Sequence, residues 1–384
     1  MIVDYKDQKR PLSHYLIKAE VAKRLADISA KGLSLVNSYF IISSLSIFYF
    51  GFYQLLLSFI SILRGLGIKF FDGLVAIDMR RYFNLGKKDL AKRLFWENAI
   101  FKIGIALIMT AAVFFGSDLI AGLYGKDIAV LIKWASILLV TNAFQSIIAT
   151  FLQSVVSFSF QAVAVIRELL KLILIIAFLA FYQFGITEVI IAHVIGEAFA
   201  TLIFTIFIFF KKYPAVFQGV KSAKEHLMIP MAKIHGSRLF VIFGLKELLQ
   251  DATPWLVKFF VNTEAVAFYA LSVNLVAFIE DFMPLSGIKP ILALKADNLG
   301  QMKPVFRRAM KYTFWLGVLF FALSFTFVPV VVGLLFPHYK PALPVFYLMV
   351  AVLPLYGMMK VLHTTLASLK EFNVLAMRLV NEVI

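Results

Sequence analysis

The sequence predicts an all-α, polytopic membrane protein made of two parallel-repeat helical lobes around a central cavity. Three observations predict it. First, 61% of the 384 residues are hydrophobic, against ~45–50% in a soluble domain. The excess falls in runs of about 18–25 residues, the length one helix needs to cross the hydrocarbon core. Second, the basic residues collect in every second loop. Third, short blocks recur in the same order in both halves. In lipid the backbone must satisfy its own polar groups, which leaves helices or closed barrels. Runs that stay apolar without alternating select helices.

Ten spans are expected, at about 33–48, 52–77, 98–118, 130–157, 163–182, 187–210, 239–261, 264–288, 312–336 and 343–366. The long second and fourth imply tilt or extension past the bilayer. The N-terminal segment, about 1–32, carries Lys6, Lys9, Arg10, Lys18, Lys23, Arg24 and Lys31. The loops after spans two, six and eight are comparably basic, whereas the alternate loops hold little beyond Lys126 and Lys340. The positive-inside rule then puts the N-terminus on the cytoplasmic side of a cell (inner or plasma) membrane. The net charge of +16 is thereby a topology signal, and no nucleic-acid partner is expected. With no cysteine there is neither a disulfide nor a thiolate metal site, and no cofactor is expected. The first span lacks a small-residue cleavage site behind it and reads as retained. Residues Leu12 to Ile28 mix Leu12, Tyr15, Leu16, Ala19 and Leu25 with Lys18, Lys23 and Arg24. They form either an interfacial amphipathic helix or a solvated basic tail.

The repeat sets the domains. Gly67-Ile68-Lys69 matches Gly287-Ile288-Lys289, and Asn84-Leu85-Gly86 matches Asn298-Leu299-Gly300. Arg93 falls opposite Arg307, and Gly122-Leu123-Tyr124-Gly125 opposite Gly333-Leu334-Leu335-Phe336. An even number of spans separates the copies, so both share one orientation. Transporters built this way bind substrate between their halves and rock them. The expected domains are an N-terminal lobe of six helices over about 33–210, a basic cytoplasmic linker over about 211–238 and a C-terminal lobe over about 239–384. The second lobe has four spans and the start of a fifth near Asn373, which fits a piece of a longer chain better than a naturally short lobe.

Ionisable residues inside spans are costly and usually functional. In span seven Glu247, Asp251 and Lys258 recur at spacings of four and seven and share a face with Trp255, while Lys246 sits beside it and Pro254 predicts a kink. This face either lines a cavity that binds a polar substrate or coupling ion, or holds an internal Asp251–Lys258 pair. Span two carries Arg64, Lys69 and Asp72. Lys69 and Asp72 are spaced to pair, Lys69 is also placed to snorkel, and Arg64 lies deeper, where it would meet an anionic headgroup. In span six His193 and Glu197 stand four apart, as a proton relay, a cation site or a simple polar contact between helices. Glu280 and Asp281 in span eight cannot share one face. Span ten has Lys360 and His363. Arg167, Glu168 and Lys171 lie at the inner end of span five, where snorkelling and local pairing suffice. No phosphate loop, nucleophile elbow or zinc motif is present in the sequence, so the chain is not expected to be an enzyme.

Several stretches resemble the Wzx-type flippases of O-antigen and other polysaccharides, in the superfamily that includes MATE drug exporters and peptidoglycan-precursor flippases. They are Tyr49-Phe50-Gly51-Phe52-Tyr53, the stretch from Gly65-Leu66-Gly67 to Arg93, Asp251 with Val266-Ala267-Phe268-Tyr269-Ala270, and Leu334 to Ala342. Ala267 departs from the family's usual glycine. The resemblance implies a MATE-like fold and the flipping of polyprenyl-pyrophosphate-linked oligosaccharide to the outer leaflet by alternating access, for cell-surface polysaccharide or lipopolysaccharide assembly. Arg64, Lys246, Lys258 and Trp255 would bind the substrate. Asp251, Glu247, His193 and Glu197 would couple transport to H+ or Na+. The partners would be the lipid-linked oligosaccharide and the bilayer, with a polymerase or glycosyltransferase as neighbours. The alternatives are a MATE-type exporter of cationic drugs, a membrane enzyme of glycan assembly and a non-transporting scaffold.

Overall fold

The computed structural model describes residues 12–69, 71–124, 128–155, 161–181, 184–239, 245–282 and 299–368, with some side chains inside these helices left out. Among the described residues every regular element is helical. The chain opens with α1 (Leu12–Ser44), so the stretch from Leu12 to Ile28 is helix. After a break at Leu45 comes α2 (Ile47–Arg64), a π turn (Gly65–Lys69), α3 (Asp72–Asn84), α4 (Lys88–Phe115) and the short α5 (Ser117–Tyr124). Then follow α6 (Ala129–Ser154), α7 (Gln161–Phe181), α8 (Ile186–Phe207), a second π turn (Ile208–Lys212), α9 (Tyr213–Phe217) and α10 (Met228–Leu239). The rest is α11 (Leu245–Phe260), α12 (Thr263–Phe282), α13 (Leu299–Leu335), a 3₁₀ turn (Pro337–Tyr339), α14 (Ala342–Ala351) and α15 (Leu353–Ser368).

Six helical stretches are long and apolar enough to cross a membrane, and α14 with α15 would make a seventh, bent by 43°. They carry expected spans two, three, four, six, eight, nine and ten. The other three expected spans fall on α1, α7 and α11, each for its own reason. The apolar part of α1 is short and continues a basic segment. The inner end of α7 holds Arg167, Glu168 and Lys171 close together. The described part of α11 is only 16 residues long. The bounds also shift: α2, the π turn and α3 run as one stretch, Ile47–Asn84, and α8 to α9 as another, Ile186–Phe217. The chain is a multi-pass membrane protein.

The chain divides into two compact units. The first comprises Met1–Leu45 and Leu56–Ala252, the second Ser46–Leu55 and Thr253–Ile384. In the first unit α4 packs on α6, α7 on both α1 and α8, α6 on α8, and α3 on α4 and α6. One core there gathers Val75, Met79, Leu94, Phe95, Phe151, Leu152 and Phe217, all nearly inaccessible. The rings of Phe95, Phe151, Tyr213 and Phe217 stack through one another with centroids 5.0–6.2 Å apart. Offset and edge contacts of this kind add to simple area burial. Asn84-Leu85-Gly86 ends α3, with Gly86 at φ 72° and the amide of Lys87 reaching back to the Tyr82 carbonyl. Only glycine takes that left-handed position without a Cβ penalty.

The basic linker is fastened to the start of α4. Lys92 Nζ donates to the Val220 carbonyl at 2.7 Å, and the amide of Ala223 to the Asp89 carbonyl at 3.3 Å. Glu97 accepts the amides of Leu227 and Met228, both at 2.8 Å, and holds Arg93 at 2.8 Å and His226 at 3.0 Å. A carboxylate on the free amides at a helix start is favoured by both hydrogen bonding and the helix dipole. Thus α4 caps α10.

In the second unit α13 packs on α15 and α12 on α14. Gly317 makes the first contact possible, because a Cβ there would lie 2.5 Å from the Cα of Pro354. The first residues of α2 belong to this unit for a similar reason: a Cβ on Gly51 would lie 2.1 Å from the Thr263 carbonyl oxygen. Tyr339 packs edge-on against Phe50, Phe268 and Phe336. Burial pushes its phenol well above the usual tyrosine range, so it stays neutral.

Candidate functional site

Two knots of charge lie inside the apolar packing of the first unit. Helix α7 brings Arg167, Glu168 and Lys171 into the local pairing that the sequence allowed, with the Arg167 side chain still 32% exposed. Glu168 and Lys171 are buried, so Lys171 does not snorkel as the sequence allowed. Glu168 is held by Lys171 Nζ at 3.0 Å and Arg167 Nε at 3.1 Å. The amide of Asn37, on α1, donates to both its carbonyl and its carboxylate at 2.9 Å. Arg167 also reaches Glu197 of α8 at 3.3 Å. His193 stands 3.9 Å from the same carboxylate oxygen. On the other side Gln145 of α6 donates to Glu197 and, at 2.9 Å, to Thr201. Gly196 lets the helices meet here, since a Cβ on it would already lie 3.3 Å from Lys171.

The expected His193–Glu197 pair is therefore part of a network over four helices. Its two carboxylates are matched by one arginine and one lysine. A buried carboxylate needs such partners, because an unpaired charge in an apolar medium is very costly.

The second knot was not foreseen. Lys102 of α4 is wholly buried. It donates to Asp72, to Ser146 at 2.8 Å and to Thr150 at 3.3 Å. Ser146 in turn donates to the other Asp72 oxygen at 2.6 Å. Asp72 thus has a partner on another helix, beyond the local pairing with Lys69 that the spacing offered. The available signal was a lone lysine within an apolar span. Asn37 was likewise a single amide in an apolar run, whereas Gln145 shares its span with Asn142 and Gln153.

Arg64 is the last residue of α2, half-buried, with its Nη2 donating to Ser61 at 2.9 Å. Its buried Nε has no hydrogen-bond partner among the described residues. Asp251 lies on α11, and its backbone carbonyl accepts the hydroxyl of Ser58. Three residues later Pro254 interrupts the helix ladder. Among the described residues no basic side chain comes within ion-pair distance of the Asp251 carboxylate, so the internal pair with Lys258 does not form. Further along α11, Lys258 Nζ lies 5.9 Å from the Trp255 ring centroid. The side chains of Lys246, Glu247, Asp281 and His363 lie outside the described residues, as do residues 287–289 and 298 of the repeat and the start of the expected eleventh helix. In the second unit Lys360 pairs with Glu280 at 3.6 Å and lies 4.4 Å from the Tyr356 ring centroid.

No protein-family model matches the chain, and no curated protein sequence matches it. Its fold does match solved structures. One is an inward-facing MATE-family multidrug transporter of the MOP superfamily, with a TM-score of 0.67 and 14% identity over 89% of this chain and 81% of that one. A Vibrio cholerae MATE transporter gives 0.61 and 17% over 92% and 83%. A MOP-superfamily transporter from Pyrococcus furiosus, described as having a binding pocket of reverse polarity, gives 0.58 and 14% over 94% and 82%. The chain has the MATE transporter fold, as the resemblance implied.

Proposed function

We propose that this chain of MATE fold is a transporter that flips polyprenyl-pyrophosphate-linked oligosaccharide from the cytoplasmic to the outer leaflet of the cell membrane. Its N-terminus lies in the cytoplasm, and H+ or Na+ drives the cycle. The observation that carries this reading is the charge pairing within the spans of the first unit. Asp72 is neutralised by Lys102, Glu168 by Lys171 and Arg167, and Glu197 by Arg167. Arg64 and Asp251 stand outside that pairing. A pyrophosphate matches the first, since a guanidinium offers several donors to phosphate oxygens in a fixed fork. The second is a carboxylate able to take up a proton or sodium ion. Trp255 and Lys258 are the further candidates to bind glycan and phosphate. His193 and Glu197 would relay protons only by opening their present contacts.

Export of cationic drugs is the second reading, and the MATE multidrug transporters of the same fold favour it. A cation-binding cavity needs unneutralised carboxylates. Among the described residues of the first unit, Asp251 and Glu188 are carboxylates without a basic partner, and Glu188 is taken up by the Gly185 amide at 2.9 Å.

The test is reconstitution in liposomes with a fluorescent polyprenyl-pyrophosphate oligosaccharide and a membrane-impermeant quencher. A hydrogen bond to a charged group contributes ~1.5–3 kcal/mol, so Arg64→Gln should slow flipping roughly tenfold to a hundredfold. An unchanged rate in Arg64→Gln rejects its role. No flipping by the folded parent, together with export of a fluorescent cation, would replace this reading with drug export.

A further inference from the structure

The stretch Ile47–Asn84 runs through a π turn directly after Arg64 and is held on either side of that turn. Before the turn, Ser58 fastens α2 to α11 by donating to the carbonyl of Asp251. Within it, Ile68 packs with Ala106 and Ala143, and Gly67 lies so close to α4 that a Cβ would collide with Met109. Asp72 then locks the start of α3 to Lys102 and Ser146. Between the two attachments lies the π turn Gly65–Lys69, directly after Arg64. All these residues belong to the first unit.

A π turn carries one residue more than the α turn it replaces, and such turns cluster at functional sites. Passing that extra residue along the helix rotates the neighbouring side chain by about 100° and shifts it by ~1.5 Å. Such a shift would give the segment two arrangements, the kind of element through which two sites can be coupled. Ser58 lies six residues before Arg64, on the segment that would turn.

We propose that Ser58 couples Asp251 to Arg64 through the π turn Gly65–Lys69, with the Lys102–Asp72 pair as the fixed post against which α2 turns. Ser58, Asp72 and Lys102 are positioning residues: they touch neither cargo nor ion, and act through Arg64. The cargo at Arg64 is taken from the flippase reading, on which this coupling rests. Coupling is reciprocal, so neutralising Asp251 must change the affinity for cargo.

The experiment is a binding cycle with undecaprenyl pyrophosphate as the probe, measured on the purified full chain in nanodiscs. Asp251→Asn should change the affinity by about tenfold, within the ordinary range of coupling between sites. In a Ser58→Ala background the same change should have less than about a twofold effect, and Ser58→Thr should restore it, because the hydroxyl is retained. The paired replacement Lys102→Met with Asp72→Asn removes the post without leaving a buried charge, and should also abolish the coupling while the probe still binds. A merely structural role would lower affinity in every background and leave the ratio intact. An Asp251→Asn effect that is equal in the parent and Ser58→Ala overturns the coupling path, as does its absence from the parent. In both cases binding that needs Arg64 leaves the flippase reading standing. A folded parent that binds no undecaprenyl pyrophosphate overturns both.

Discussion

Lys102 and Asp72 allow a sharp test of how charge is held inside this protein. Lys102 is fully inaccessible, whereas the Asp72 side chain keeps 24% of its surface exposed. The two single replacements must therefore differ. Asp72→Asn leaves an ammonium in the packed interior with two hydroxyls and an amide around it. Removing one partner of a buried pair costs about 3–5 kcal/mol. Lys102→Met instead leaves a carboxylate that still accepts from Ser146 and still meets solvent or headgroups. Its cost should fall to about 1–3 kcal/mol. The double replacement leaves no charge, and isosteric apolar substitution of a buried pair is often nearly neutral. The double variant should thus be more stable than Asp72→Asn by about 2–4 kcal/mol. Reversible unfolding in mixed micelles, followed by tryptophan fluorescence, would measure all four proteins. Additive single effects would refute the reasoning, because they would mean the two groups do not sense each other.

Two further predictions concern attachment rather than charge burial. Glu97→Gln weakens the cap on α10 and the contact with Arg93, at a cost of about 1 kcal/mol. The linker should then open more often, and trypsin should cut at Lys221 and Lys224 roughly fivefold faster; an unchanged cleavage rate would show that Glu97 does not hold it. Gly51→Ala would place a methyl group against the backbone oxygen of Thr263, which cannot swing aside. A loss of about 1–3 kcal/mol is expected, read as the same micelle transition shifted to lower denaturant, while Gly104→Ala, with open space around its Cβ position, should leave it in place.

Much of this was legible in the sequence. Span length and continuous apolarity fix helices in a bilayer. That holds regardless of what each helix touches, because the backbone requirement is local. The lone ionisable residues within spans could be recognised in the same way, since each is costly wherever it points. Spacing rules even placed His193 over Glu197, because residues four apart share a helix face. What spacing cannot reach is the partner on another helix. Glu168 finds Asn37 131 residues away, and Lys102 finds Asp72 30 residues away and Ser146 44. Such pairs depend on which helix faces meet and at what depth, and close contacts such as Gly196 on Lys171 set that depth. The sequence by itself determined that charge is buried in this membrane protein. Only the tertiary structure decided which charges cancel, because neutralisation inside an apolar medium needs contact within a few ångströms, and contact is a property of packing.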